Sequence, residues 1–201
     1  MLMVISESVS TPVPAAFGHS FPGDPLPTMR NPVTGDRMTP LCQQAGYLKN
    51  QFQLPPGSQG SPLHYHTRMW ERFTVLEGEL QMQVGSLPSL QSLKAGESLM
   101  IPPRLHHSFC NVSEDWVTFQ SENYPAGEFH RFLQGLYGLA QEGKVNAEGT
   151  PTNPFYLGIL LSYADTTLVG TPRWLQQSLI GVLASLGRLA GLEADLLAYW
   201  N

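Results

Sequence analysis

The sequence predicts a mainly β chain, a sandwich or barrel, followed by C-terminal α-helices, and three observations carry that expectation. Between residues 47 and 121, short alternating segments recur at even spacing, each bounded by Gly, Pro, Asn or Asp, as packed antiparallel strands require. After Pro125 the apolar residues fall instead at helical spacing. The composition agrees: 19 Gly and 17 Pro accompany only 13% charged residues, a balance that favours turns and short strands over long charged helices. A length of 201 residues fits one domain of ~100–200 residues.

Taken in order, residues 1–30 hold Pro12, Pro14, Pro22, Pro25 and Pro27. Proline at this density admits neither helix nor ladder, so an extended arm is expected. Asn31-Pro-Val-Thr-Gly-Asp36 reads as a turn. The segment Tyr47 to Leu54 alternates, and Arg72 to Leu76 and Glu79 to Val84 read as a hairpin closed at Gly78. Leu90 to Leu93, Ser98 to Ile101, His107 to Cys110 and Trp116 to Ser121 complete the strands. Phe129, Phe132, Leu133, Leu136 and Ala140 mark one helix over 128–142, and Asn153-Pro154 and Thr171-Pro172 open two more, over 155–164 and 173–199. The expected organisation is an arm over 1–30, a barrel over 31–125, and a helical tail over 126–201 packed on the barrel rather than forming its own domain.

Eleven basic and 16 acidic side chains give a net charge of −5, which argues against nucleic acid, because phosphates need a basic face. Cys42 and Cys110 form no C-x-x-C and read as separate buried thiols. Met1 to Ile5 is apolar but too short for a secretory signal, and the apolar stretch Ser178 to Leu192 is too short to span a bilayer. A cytoplasmic protein without a membrane span is expected.

The chemistry concentrates in His64-Tyr65-His66, Glu71 and His107. Residues two apart on a strand share a face, so His64 and His66 both face an interior. A bend at 67–69 brings Glu71 round to the same point. Three imidazoles and a carboxylate suit a divalent transition metal and leave open positions on an octahedral ion. The plainer alternative is three unrelated hydrogen-bonded histidines. Phe73, Met82, Met100 and Phe109 are candidates to line a substrate pocket beside the metal, or else simply fill the barrel. His106 is expected on the outer surface, facing away from His107. Arg68 and Arg72, beside Glu71, are read as solvated, with an anionic substrate as the alternative.

Residues 60–78, Gly-Ser-Pro-Leu-His-Tyr-His-Thr-Arg-Met-Trp-Glu-Arg-Phe-Thr-Val-Leu-Glu-Gly, resemble the first motif of the cupin superfamily, and residues 96–111, with Gly96, Pro102, His107 and Asn111, resemble the second. Arg104 stands where the second motif usually has Gly. The chain is similar to small bacterial single-domain cupins of the conserved-barrel type with a helical tail. That resemblance implies an antiparallel double-stranded β-helix, a jelly-roll barrel, in which His64, His66, Glu71 and His107 ligate Fe, Mn, Ni, Zn or Cu. Relatives include dioxygenases, isomerases, decarboxylases and plain binders. The expected function is a metal-dependent, dioxygenase-like enzyme acting on a small organic molecule, with Glu71 also available as a base. The alternative is a non-catalytic sensor or storage module. The third helix carries Trp174, Leu175, Leu179, Val182, Leu183, Leu186, Leu189 and Leu196, more apolar surface than one face needs, which predicts a homodimer.

Overall fold

The computed structural model describes residues 26–44, 46–85 and 89–200; the Pro-rich arm before Leu26, with its His19, lies outside the described residues. Among the described residues, eleven strands form two antiparallel sheets. The first contains β1 (Met29–Arg30), β2 (Arg37–Gln44), β3 (Tyr47–Leu54), β5 (Trp70–Glu77), β8 (Ser98–Ile101) and β10 (Val117–Tyr124), ordered β1-β2-β3-β10-β5-β8. The second contains β4 (His64–Tyr65), β6 (Glu79–Val84), β7 (Ser89–Lys94), β9 (His107–Cys110) and β11 (Thr167–Leu168), ordered β11-β4-β9-β6-β7. This is the expected jelly-roll barrel.

Alternation sets the inner face. Leu54, Phe73, Val75, Leu80, Met82, Leu93, Ile101, Val117 and Phe119 come from both sheets and form one buried cluster, with Phe109 packed against it. Each such side chain contributes ~1.5–3 kcal/mol on burial. The expected turn at 31–36 joins β1 to β2, with the Asn31 side chain accepting from the amides of Val33 and Thr34. The β2 strand was not anticipated, since Pro40 interrupts its pattern; a register shift between Pro40 and Cys42 accommodates the residue.

The predicted hairpin across Gly78 is corrected. β5 pairs with β10 and β8, whereas β6 pairs with β7 and β9. Gly78 is therefore a corner where the chain leaves one sheet for the other. Its φ of 79° and the 2.7 Å that would separate a Cβ from the Trp116 carbonyl oxygen both require glycine.

Among the described residues, four α-helices follow: α1 (Phe129–Gln141), α2 (Pro154–Ser162), α3 (Arg173–Leu189) and α4 (Leu192–Leu196). Asn153 caps α2 by accepting from the Phe155 amide, with Pro154 in the first turn. The single helix expected over 173–199 is broken, because Gly191 adopts a left-handed φ of 77° and ends it. The chain then turns back, placing Leu196 in a second apolar cluster with Leu139, Tyr156, Ile159 and Leu160. Helices and barrel meet in a third cluster, where Leu48 and Met69 pack with Ala126 and Phe129. The Tyr137 hydroxyl also donates to Asp36. Among the described residues no helix is long and apolar enough to cross a membrane.

Candidate metal centre

The two sheets bring the four sequence-predicted donors together. β4 and β9 pair with His64 opposite His107, and His66 follows β4 on the same face. Glu71 projects from β5, in the facing sheet. All four side chains are buried, and one donor atom from each lies within 4.8 Å of all the others.

Hydrogen bonds orient each donor. The Nδ1 atoms of His64, His66 and His107 donate to the backbone carbonyls of Pro62 (2.8 Å), Asp165 (2.7 Å) and Leu105 (3.0 Å). That arrangement leaves three Nε2 atoms facing the interior, the outer-shell pattern that fixes metal-ligating imidazoles. Glu71 is held in the same way: its Oε1 accepts from the Ser121 hydroxyl at 2.7 Å. Its Oε2 lies 3.2 Å from His66 Nε2 and 3.1 Å from His107 Nε2. With each Nδ1 proton already donated, the Nε2–Oε2 contacts hold only with a proton between the two groups or a metal ion among the donors. The donor set fits a divalent transition metal.

The electrostatics follow from this packing. Burial, with the neighbouring imidazoles of His107 and His66, pushes His64 down to about 3, so it stays neutral. Burial alone would also lower His66, but the hydrogen bond and charge of Glu71 outweigh it and raise the pKa. Burial alone would raise Glu71, but the hydrogen bonds and charges of His107 and His66 hold it well below the usual carboxylate range.

Two supporting residues escaped sequence reasoning. Asp165 lies between α2 and β11, 99 positions beyond His66. Its backbone carbonyl accepts from His66. Its carboxylate accepts from the Thr67 hydroxyl and from the amides of Arg68 (2.7 Å) and Met69 (3.2 Å), fixing the bend that swings Glu71 inward. Burial opposes ionisation of Asp165, but these donors lower its pKa. Ser121 is the other; it sits on β10 beside β5. No local spacing connects either residue with the histidines.

Of the pocket candidates, Phe73 and Met82 are fully buried in the barrel cluster and Phe109 packs against it. Met100 is not there. It pairs with Arg72, on the face opposite Glu71 and Phe73, and Leu99 and Ile101 are the inward residues of β8. Arg72 is not simply solvated, since its guanidinium pairs with buried Glu122 at 2.5 Å. His106 points away from His107, with its ring against Tyr65. Cys42 and Cys110 are only half-buried, and both are free thiols.

Residues 50–119 match the family model of the cupin domain, Cupin_2. The barrel has the cupin fold. Solved structures similar to this chain include the cupin domain of Cnp3 from Schizosaccharomyces pombe, at 15% identity and a TM-score of 0.40, covering 44% of this chain and 63% of that one. An RmlC-like cupin from Shewanella frigidimarina matches at 23% identity and a TM-score of 0.42, covering 50% and 85%. The polyketide cyclase RemF from Streptomyces resistomycificus matches at 20% and 0.40, covering 44% and 63%. The match thus spans less than two thirds of the first and third of these chains. No curated protein matches the chain.

Proposed function

We propose that this cupin is a metal-dependent enzyme of the oxygenase type, acting on a small organic molecule at one divalent ion held by His64, His66, Glu71 and His107. The observation that carries the reading is the commitment of all three Nδ1 atoms to backbone carbonyls, which leaves three Nε2 atoms and Glu71 Oε2 converging in a buried space. A redox-active ion there supplies Lewis acidity and electrons for dioxygen chemistry, with coordination positions left for substrate. The chain supplies the rest. Glu71, ionised and steadied at Oε1 by Ser121, would take a substrate proton at Oε2 only on leaving the ion. Phe73, Phe109 and Phe119 keep bulk water from the reacting atoms.

The close packing of Phe73, Val75, Met82 and Phe119 beside the donors favours a second reading, a non-catalytic module that binds a metal or ligand. Oxygen uptake separates the two. Protein purified without chelator and loaded in turn with Fe, Mn, Ni, Cu or Zn is screened against small phenols, diketones and flavonols. The enzyme reading expects uptake with at least one redox-active metal and none in Glu71→Gln. Stoichiometric tetrahedral zinc with no uptake for any substrate supports the binder.

Two further parts of the reading rest on the tail. Because Asp165 holds both His66 and the bend before Glu71, the helices belong to the same folding unit as the barrel. Leu175, Leu179, Val182, Leu186 and Leu189 lie exposed on α3 at alternating four- and three-residue steps, the spacing of a helix–helix seam, and support a homodimer. The two free thiols fit a reducing compartment such as the cytoplasm.

A further inference from the structure

The segment that carries the metal donors has a second face. Tyr65 and Thr67 alternate with His64 and His66, and together with Arg104, His106 and Arg173 they line a cleft of about 360 Å³. Its chemistry is unlike that of the rest of the chain. In a protein of net charge −5, the lining offers two guanidiniums, an imidazole and two hydroxyls, and no carboxylate. Among the described residues neither Arg104 nor Arg173 is paired with an acid. Asp165, which Thr67 contacts, has both carboxylate oxygens occupied by the Thr67 hydroxyl and by the amides of Arg68 and Met69.

Three details go beyond a solvated basic surface. Arg104 has a φ of 69° and is the only non-glycine residue with positive φ among the described residues. The backbone therefore carries strain to present a guanidinium where glycine would fit freely, and such strain persists where the surroundings over-determine it, often at binding sites. Its amide donates to the His66 carbonyl at 2.6 Å, which fixes the turn against the metal-bearing segment. His106, with its ring 5.2 Å from that of Tyr65, has a buried Nδ1 with no hydrogen-bond partner among the described residues. Finally, Arg173 opens the 17-residue helix α3, whose amino-terminal end carries partial positive charge.

We propose that this cleft binds an oxyanion, the phosphate or carboxylate group of a small molecule, with Arg104 and Arg173 as the charged donors and the Tyr65 hydroxyl and His106 as further polar groups. Guanidinium forks match both anions. The site lies on the opposite side of the backbone from the metal donors and does not depend on the oxygenase reading.

The test is calorimetric titration of the full-length protein with inorganic phosphate and, separately, with succinate. Saturable one-site binding is expected for at least one of them, and the stronger arm identifies the preferred oxyanion. Arg104→Gly and Arg173→Gln should each weaken it about ten-fold or more, as loss of a charge-assisted hydrogen bond does. Arg104→Gly should keep or raise the thermal midpoint, because glycine relieves the backbone, so weaker binding there is not unfolding. Phosphate also coordinates metals, and Glu71→Gln separates the two sites: cleft binding persists when the metal set is impaired. Absence of saturable binding by either anion, wild-type affinity in both arginine variants, or loss of binding in Glu71→Gln would overturn the proposal.

Discussion

The barrel interior and helix α3 reverse the usual partition of side chains in opposite directions. Inside the barrel, three imidazoles and a carboxylate that water would solvate are buried together. Along α3, Leu175, Leu179, Val182, Leu186 and Leu189 stay in water, Leu189 at 85% exposure. The neighbouring helix α2 has no such problem, because α1, α3 and α4 cover it and Ile159 and Leu160 are fully buried. Uncompensated buried charge and exposed apolar stripes are both costly. By the proposed reading, each reversal points to something that binds: a cation in the first case and a second copy of the chain in the second.

The largest effect is expected on α3. Leu179→Glu with Leu186→Glu removes four apolar side chains from a symmetric pair, each worth ~1.5–3 kcal/mol. Dimerisation should weaken by several orders of magnitude, read as a monomer by light scattering while metal content is unchanged. An unaltered oligomeric state would end the comparison on that side.

On the barrel side, Asp165→Ala keeps the backbone carbonyl that accepts from His66 but removes the carboxylate that holds the 67–69 bend, and should lower metal affinity by ~10-fold, the low end of the cost of disturbing a ligand's support. Competition with a chromogenic chelator measures it. Unchanged affinity would mean that the bend at 67–69 holds without the carboxylate.

The smallest effect is graded with pH. His66 is raised because Glu71 outweighs the effect of burial, so a proton competes with the metal there, and binding must expel it. Affinity should therefore fall as pH drops below the raised His66 value, roughly ten-fold per unit for one proton. His64, held at about 3, stays neutral between pH 7 and 5 and adds nothing to the slope. An affinity flat across that window would contradict the His66–Glu71 pairing.

What the sequence made legible followed from short-range rules. Strand alternation and the spacing of His64, His66, Glu71 and His107 need only a period of two and a bend, and both were readable. The failures share a different cause. Gly78 announces a turn, but nothing local says whether the strands it joins pair with each other, so a corner between sheets passed for a hairpin. Met100 was placed inward by its hydrophobicity, whereas its register opposite Arg72 puts it outward. Asp165 reaches the centre only through tertiary packing of the tail. The break at Gly191 was visible as a glycine, yet Gly181 and Gly187 lie inside α3, so a glycine in an apolar helical pattern does not by itself reveal a left-handed φ.

Metal content per chain, measured by elemental mass spectrometry on wild type and His107→Ala purified side by side without chelator or affinity tag, tests the four-donor centre most directly. Close to one divalent transition metal per wild-type chain is expected, with none retained stoichiometrically by His107→Ala. Full occupancy in the variant, or wild-type protein that takes up none of Fe, Mn, Ni, Cu and Zn on reconstitution, would contradict it.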